Sequence, residues 1–126
     1  WSIERITDDE MEQFDDIFRY MEFYTKKNDI HMMMYANSAF HRHIYKTSHD
    51  RMLDKTLTTY FNYCKYSCPP NYFAPKFLDK TLEERRRIYS AYLKKDVTSG
   101  ARAMKLHMSN TIKRAIANIN LNIYEK

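Results

Sequence analysis

At 126 residues and 44% hydrophobic content, the chain is long enough to bury one core, so a single domain over residues 1–126 is expected. Its 21 Lys and Arg outnumber 16 Asp and Glu for a net charge of +5. The two signs are interspersed, which argues against a phosphate-tracking stripe yet allows contact with a small anion. A mean hydropathy of -0.74, with no apolar run of about 18 residues and no charged-then-apolar leader, excludes a membrane helix and points to a soluble, cytoplasmic protein.

One glycine and three prolines punctuate a chain rich in Met, Leu, Lys, Glu and Arg, the composition of an all-α fold. Thr7 and Glu10 have capping-box spacing, and Met11, Phe14, Ile17, Phe18 and Met21 recur at helical intervals up to about Lys27. Asn28 and Asp29 signal a second start, after which Ile30, Met33, Met34, Asn37, Phe40, His41 and Ile44 share one face until Thr47 and Ser48. A third amphipathic run extends from about Asp50 to Tyr66, with Leu53, Leu57, Tyr60, Phe61 and Cys64 inward. The stretch SCPPNYFAP then forbids helix continuation. A fourth helix is predicted to start near Thr81, with Glu84 in capping-box position, and to run through Leu82, Arg85, Ile88, Tyr89 and Tyr92 to Lys95. Asp96 is the natural N-cap of a fifth, through Ala103, Met104, His107, Thr111 and Arg114 to about Asn118. Short connections imply an antiparallel helical bundle of about five to six helices.

Four polar residues fall on the predicted buried faces. Asn37 and His41, at i and i+4, point to one side of their helix, while Arg85 is in phase with Ile88, Tyr89 and Tyr92, and His107 lies on the last helix. Asn110 and Thr111, three and four residues beyond His107, are placed to add hydrogen bonds. His31, His43 and His49 are expected at the surface, and the tyrosines and Met32 to Met34 in the core or along a pocket wall. Cys64 and Cys68 have a spacing that suits neither a zinc knuckle nor a redox pair, so both read as reduced thiols. No nucleophile with a His partner, phosphate loop or inward carboxylate pair is visible, which argues against an enzyme.

These segments together resemble the FCD class of ligand-sensing domains, found in GntR-superfamily transcription regulators. The resemblance is carried by Asn37-Ser38-Ala39-Phe40-His41, by Ala91 to Asp96, and by Ala101 to His107, and it covers residues 5 to 117. It implies an all-α bundle that binds a small metabolite, forms a homodimer, and acts on DNA through an N-terminal winged-helix domain. That domain and most of the family's first helix are expected to lie ahead of WSIER. Members of the family commonly hold a divalent metal with one Asp and three His. Here Asn37 replaces the Asp and Arg85 stands where the middle His belongs, while Asp50 replaces a frequent Asn after the His-bearing helix.

A guanidinium stays protonated and cannot ligate. Held about 5 Å from a divalent ion at an effective dielectric of about 20, it would be repelled by roughly 6 to 7 kcal/mol. That rivals the ~8 kcal/mol of micromolar binding. The expectation is therefore a metal-free pocket in which Asn37, His41, Arg85, Tyr89, His107 and Thr111 bind a small carboxylate metabolite, with Arg85 neutralising its charge. Two alternatives stand beside it. One is a zinc or nickel site on Asn37, His41 and His107 with Arg85 turned outward, and the other is a helical nucleic-acid-binding or structural module.

Overall fold

The computed structural model describes the backbone of residues 1–67 and 77–124 and the side chains of residues 1–65 and 77–117, with six helices and no strand among them. They are α1 (Ser2–Arg5), α2 (Asp8–Lys26), α3 (Ile30–Lys46), α4 (Arg51–Ser67), α5 (Leu78–Leu93) and α6 (Val97–Tyr124). No described helix is long and apolar enough to cross a membrane. Cys68 and the predicted proline loop lie outside the described residues, apart from the Ser67 backbone.

The helix starts follow local chemistry. Thr7 Oγ1 accepts from the Glu10 amide at 3.2 Å while the Glu10 carboxylate accepts from the Thr7 amide at 2.9 Å, which closes the predicted capping box on α2. Asp29 caps α3 by accepting from Met32 N–H at 3.0 Å, and Asp96 caps α6 by accepting from Ser99 N–H at 3.0 Å. Asp50 accepts from Leu53 N–H at 3.0 Å and so caps α4. Asp and Asn cap about equally well, which gives the departure from the family residue at this position a neutral explanation.

The ends are tight because each reversal uses a left-handed residue. Asn28 (φ 52°) and Lys95 (φ 51°) follow α2 and α5, and there the Asp29 and Asp96 amides reach back to the carbonyls of Tyr24 and Ala91. The next N-cap therefore comes immediately after each turn, and α2–α3 and α5–α6 pack as hairpins. Further contacts join α2 to α5 and α3 to α4. Gly100 in the first turn of α6 permits close approach of α1, since a Cβ there would lie 2.3 Å from Ile3 Cδ1.

The core lies between α2, α3 and α5 and contains Phe14, Phe18, Met21, Met33, Phe40, Leu78, Leu82, Ile88, Tyr89 and Tyr92. Phe14 is its centre, with ring centroids 4.8 Å from both Phe40 and Tyr92. This bears out the inward faces read from α2, α3 and α5.

The boundaries and faces need four corrections. α5 begins at Leu78, because Leu78 and Leu82 extend its apolar stripe one turn upstream; Thr81 is buried inside the helix and no side chain caps it. α6 continues to Tyr124 rather than stopping near Asn118. On α4, Tyr60 and Cys64 are exposed and only Leu53, Leu57 and Phe61 turn partly inward, since this helix packs mainly on α3. His43 is buried rather than superficial because α3 is covered on two sides. Its Nε2 lies 2.7 Å from the Glu10 carbonyl, and its ring stacks on Phe14. His31 and His49 are exposed as expected.

Lys95 adopts a backbone conformation that only glycine enters without steric cost. Lys95→Gly is expected to raise unfolding stability by up to about 1 kcal/mol, read as a higher urea midpoint with an unchanged slope.

Candidate functional site

α5 carries Glu84 and Arg85 side by side, and the surrounding helices supply their partners. Arg85 is 2% exposed. Its Nε donates to Asn37 Oδ1 on α3 at 2.9 Å, and its Nη1 donates to Glu84 Oε2 at 3.3 Å and to the Thr81 carbonyl at 3.4 Å. The inward placement follows from its phase with Ile88 and Tyr92, and the guanidinium fork explains how it binds to α3 and to its own helix at once.

α6 closes the cluster from the opposite side. His107, also buried, places Nδ1 2.9 Å from Glu84 Oε2 and 3.1 Å from Arg85 Nη1. A carboxylate only accepts and a guanidinium only donates, so Nδ1 cannot serve both. The Glu84 contact is shorter and charge-assisted, and it assigns the proton to Nδ1 as donor, with Arg85 in contact beside it. One turn on, Asn110 Nδ2 donates to Glu84 Oε1 at 2.9 Å, and Arg114 Nη2 donates to the same oxygen. His107, Asn110 and Arg114 share a face of α6 because they are three, four and seven residues apart.

The electrostatics follow this geometry. Burial raises the Glu84 carboxyl, but hydrogen bonds from His107 and Asn110 and the charge of Arg114 outweigh it and hold the pKa at about 2. His107 is lowered by burial and by Arg85 against the opposing pull of Glu84, and His41 is lowered well below the usual histidine value by burial, Arg85 and His107. Both rings are neutral near pH 7.

His41 reaches the cluster by its ring face. It stacks on His107 at 5.3 Å and against Phe61 at 5.2 Å, and its buried Nδ1 has no hydrogen-bond partner among the described residues. The buried Thr111 Oγ1 is likewise without one. Tyr89 turns away: its ring stacks on Phe18, and its hydroxyl donates to Asp15 on α2. There it borders a cleft of about 530 Å³ with Asp8, Glu12 and Asp16. Asn37, Arg85 and His107 are thus brought into direct contact, His41 lies beside them, and Tyr89 does not join them through its hydroxyl.

The sequence reading missed Glu84, which it assigned to a helix cap, and the Arg114 contact. The signal was present: Glu84 is three residues after Thr81 and four before Ile88, on the same buried face as both. The arrangement does not fit a divalent cation. Arg85 hydrogen-bonds the Asn37 oxygen and touches His107 Nδ1, so its positive charge lies against two of the three donors such an ion would need. Among the described residues, no three His, Cys, Asp or Glu side chains gather in a metal-holding arrangement.

These groups make stability depend on pH. The lowered histidines leave the unfolded chain binding more protons below about pH 6.5, so stability falls as pH drops from there. Glu84, flanked by Arg85 and Thr81 on α5 and by His107, Asn110 and Arg114 on α6, has a depressed pKa; its contribution is complete above about pH 4.5 and is lost as pH falls toward 2. Urea titrations across pH should show both declines. Glu84→Gln should lose on the order of 3 kcal/mol at pH 7 and flatten the lower limb.

The family model described as FCD domain matches residues 1–110, a span that includes Asn37, His41, Glu84, Arg85, His107 and Asn110 and ends just before Thr111 and Arg114. No match is found among curated proteins or among solved structures. With six helices among the described residues and a polar cluster between α3, α5 and α6, the chain belongs to the FCD domain family, the C-terminal effector-binding domain of GntR-family regulators.

Proposed function

We propose that this FCD domain senses a small carboxylate metabolite between α3, α5 and α6, without a metal, and transmits its occupancy through a homodimer to an N-terminal DNA-binding domain. The supporting observation is the Arg85 guanidinium, buried to 2% exposure at the point where Asn37 and His107 converge. Glu84 is one carboxylate against two guanidiniums, Arg85 and Arg114, and with neutral histidines the cluster keeps a net positive charge, which favours an anionic guest and penalises a cationic one. In this reading Arg85 fixes the charge and Asn37 holds the guanidinium plane. His41 Nδ1 and Thr111 Oγ1, both buried without partners, provide polar contacts for the remaining oxygens of the ligand. Tyr89, stacked on Phe18 and bonded to Asp15 of α2, takes no part in this site. Regulation follows when the ligand binds one dimer arrangement more tightly than another.

Calorimetry with a panel of small mono- and dicarboxylic acids tests this. At least one acid should bind the wild type, and Arg85→Lys, which keeps the charge but loses the fork, should weaken it by about tenfold or more. Equal affinity in both would remove Arg85 from recognition.

The metal question has its own measurement. Protein purified without chelator should contain far less than one zinc or nickel per chain, and stoichiometric metal would overturn the proposal. The double variant Asn37→Asp/Arg85→His, which recreates the family's ligand set, should acquire a metal that the wild type lacks.

A further inference from the structure

Glu84 belongs to none of the family positions on which the resemblance rests, yet four donors of the cluster are directed at it. Oε2 receives His107 Nδ1–H and Arg85 Nη1–H, and Oε1 receives Asn110 Nδ2–H and Arg114 Nη2–H. Two guanidiniums, one imidazole and one amide, contributed by two helices, enclose both oxygens of one carboxylate. This is the donor set a protein uses to bind a free carboxylic acid.

We infer that Arg85, His107, Asn110 and Arg114 form a carboxylate subsite and that Glu84 fills it as a tethered internal ligand, so that an effector carboxylate enters by exchange with Glu84. The inference rests on the effector reading above for what does the exchanging, whereas the subsite itself stands on the four contacts. Exchange conserves the number of charge-assisted hydrogen bonds. The incoming carboxylate gains the four donors that Glu84 gives up, while Glu84 passes to water, and its 11% side-chain exposure places it next to that exit. The net affinity is therefore small for a bare monocarboxylate. Useful affinity comes from a second ligand group that the Glu84 side chain cannot mimic, and the unpartnered His41 Nδ1 and Thr111 Oγ1 are available to meet it. The subsite selects a carboxylate carrying further hydroxyl or carbonyl oxygens over a simple fatty acid.

Truncating Glu84 separates the subsite from its tethered occupant. Glu84→Ala leaves the donors facing a void of carboxyl size, and acetate is the probe that fits it. At roughly 100 mM acetate the variant's Tm should rise by about 5 °C over chloride of equal ionic strength, saturably, while the wild type shifts by less than about 1 °C. Adding Arg114→Ala to the variant should abolish the response. No acetate-specific rise, or one that persists in the double variant, overturns the subsite. Should Glu84→Ala be unfolded by circular dichroism, refolding in acetate is the expected result for it and for Glu84→Ser. Failure of both to fold at any acetate concentration counts against the inference. Acetate rescue together with an acid panel that never binds the wild type would keep the subsite and discard the effector reading. Panel binding without acetate rescue would do the reverse.

Discussion

The Glu84 carboxylate is the contact on which the arrangement of α5 and α6 depends. Removing one partner from a buried ion network costs about 3 to 5 kcal/mol, chiefly because the remaining charge is left without compensation. Here one carboxylate offsets charge on two guanidiniums from different helices, and it accepts from His107 and Asn110 as well. Asn37 extends the network to α3 through Arg85 Nε. Three helices thus meet at polar atoms whose pairing is directional. The apolar core of Phe14, Phe40 and Tyr92 supplies burial without imposing the same register on α6.

A divalent ion between His and Asp side chains would draw helices together by a different route: one central cation and anionic or neutral donors around it. This chain has an anion at the centre, the Glu84 carboxylate, with cationic and neutral donors around it. The guanidinium provides a fixed cation on α5, and the anion that neutralises it comes from the adjacent residue, so the pair is balanced within the chain. Geometry differs as well, because a planar fork donates in set directions whereas an ion accepts ligands around a sphere. Asn37 suits the fork: its neutral oxygen accepts from Nε, while its amide adds no second negative charge to compete with Glu84.

Much of the fold was legible because it rests on short-range signals. Thr7 with Glu10, Asp29 and Asp96 marked helix starts that the structure realises as hydrogen bonds, and the stripes through Phe14, Met33 and Ile88 marked buried faces. The inward position of Arg85 was legible by the same phase argument. The role of Glu84 was not, because a Thr followed by Glu three residues later reads identically as a capping box or as two residues on a buried face. Only the extra turn nucleated by Leu78 and Leu82 separates the two. His43 failed for a related reason: an angular offset from His41 places it on the opposite side of α3, but periodicity cannot say that α2 covers that side too. The outward Tyr60 and Cys64 show the converse, a well-formed amphipathic stripe with too few neighbours to bury it.

A site whose resting state is satisfied by its own carboxylate has a consequence for signalling. Ligand that merely filled an empty cavity would add contacts to one arrangement of the helices, whereas ligand that displaced Glu84 would put an untethered carboxylate where one bonded to α5 had been. In the exchange inferred above, the bonds from His107, Asn110 and Arg114 would hold α6 to the ligand, while α5 would keep only the Arg85 bond to it. The α5–α6 link would then rest on one hydrogen bond where a covalent tether stood before. Differential affinity between two helix arrangements, the quantity any effector must supply to shift an equilibrium, would on this proposal arise from a change in what the α6 donors hold, with the number of bonds kept constant.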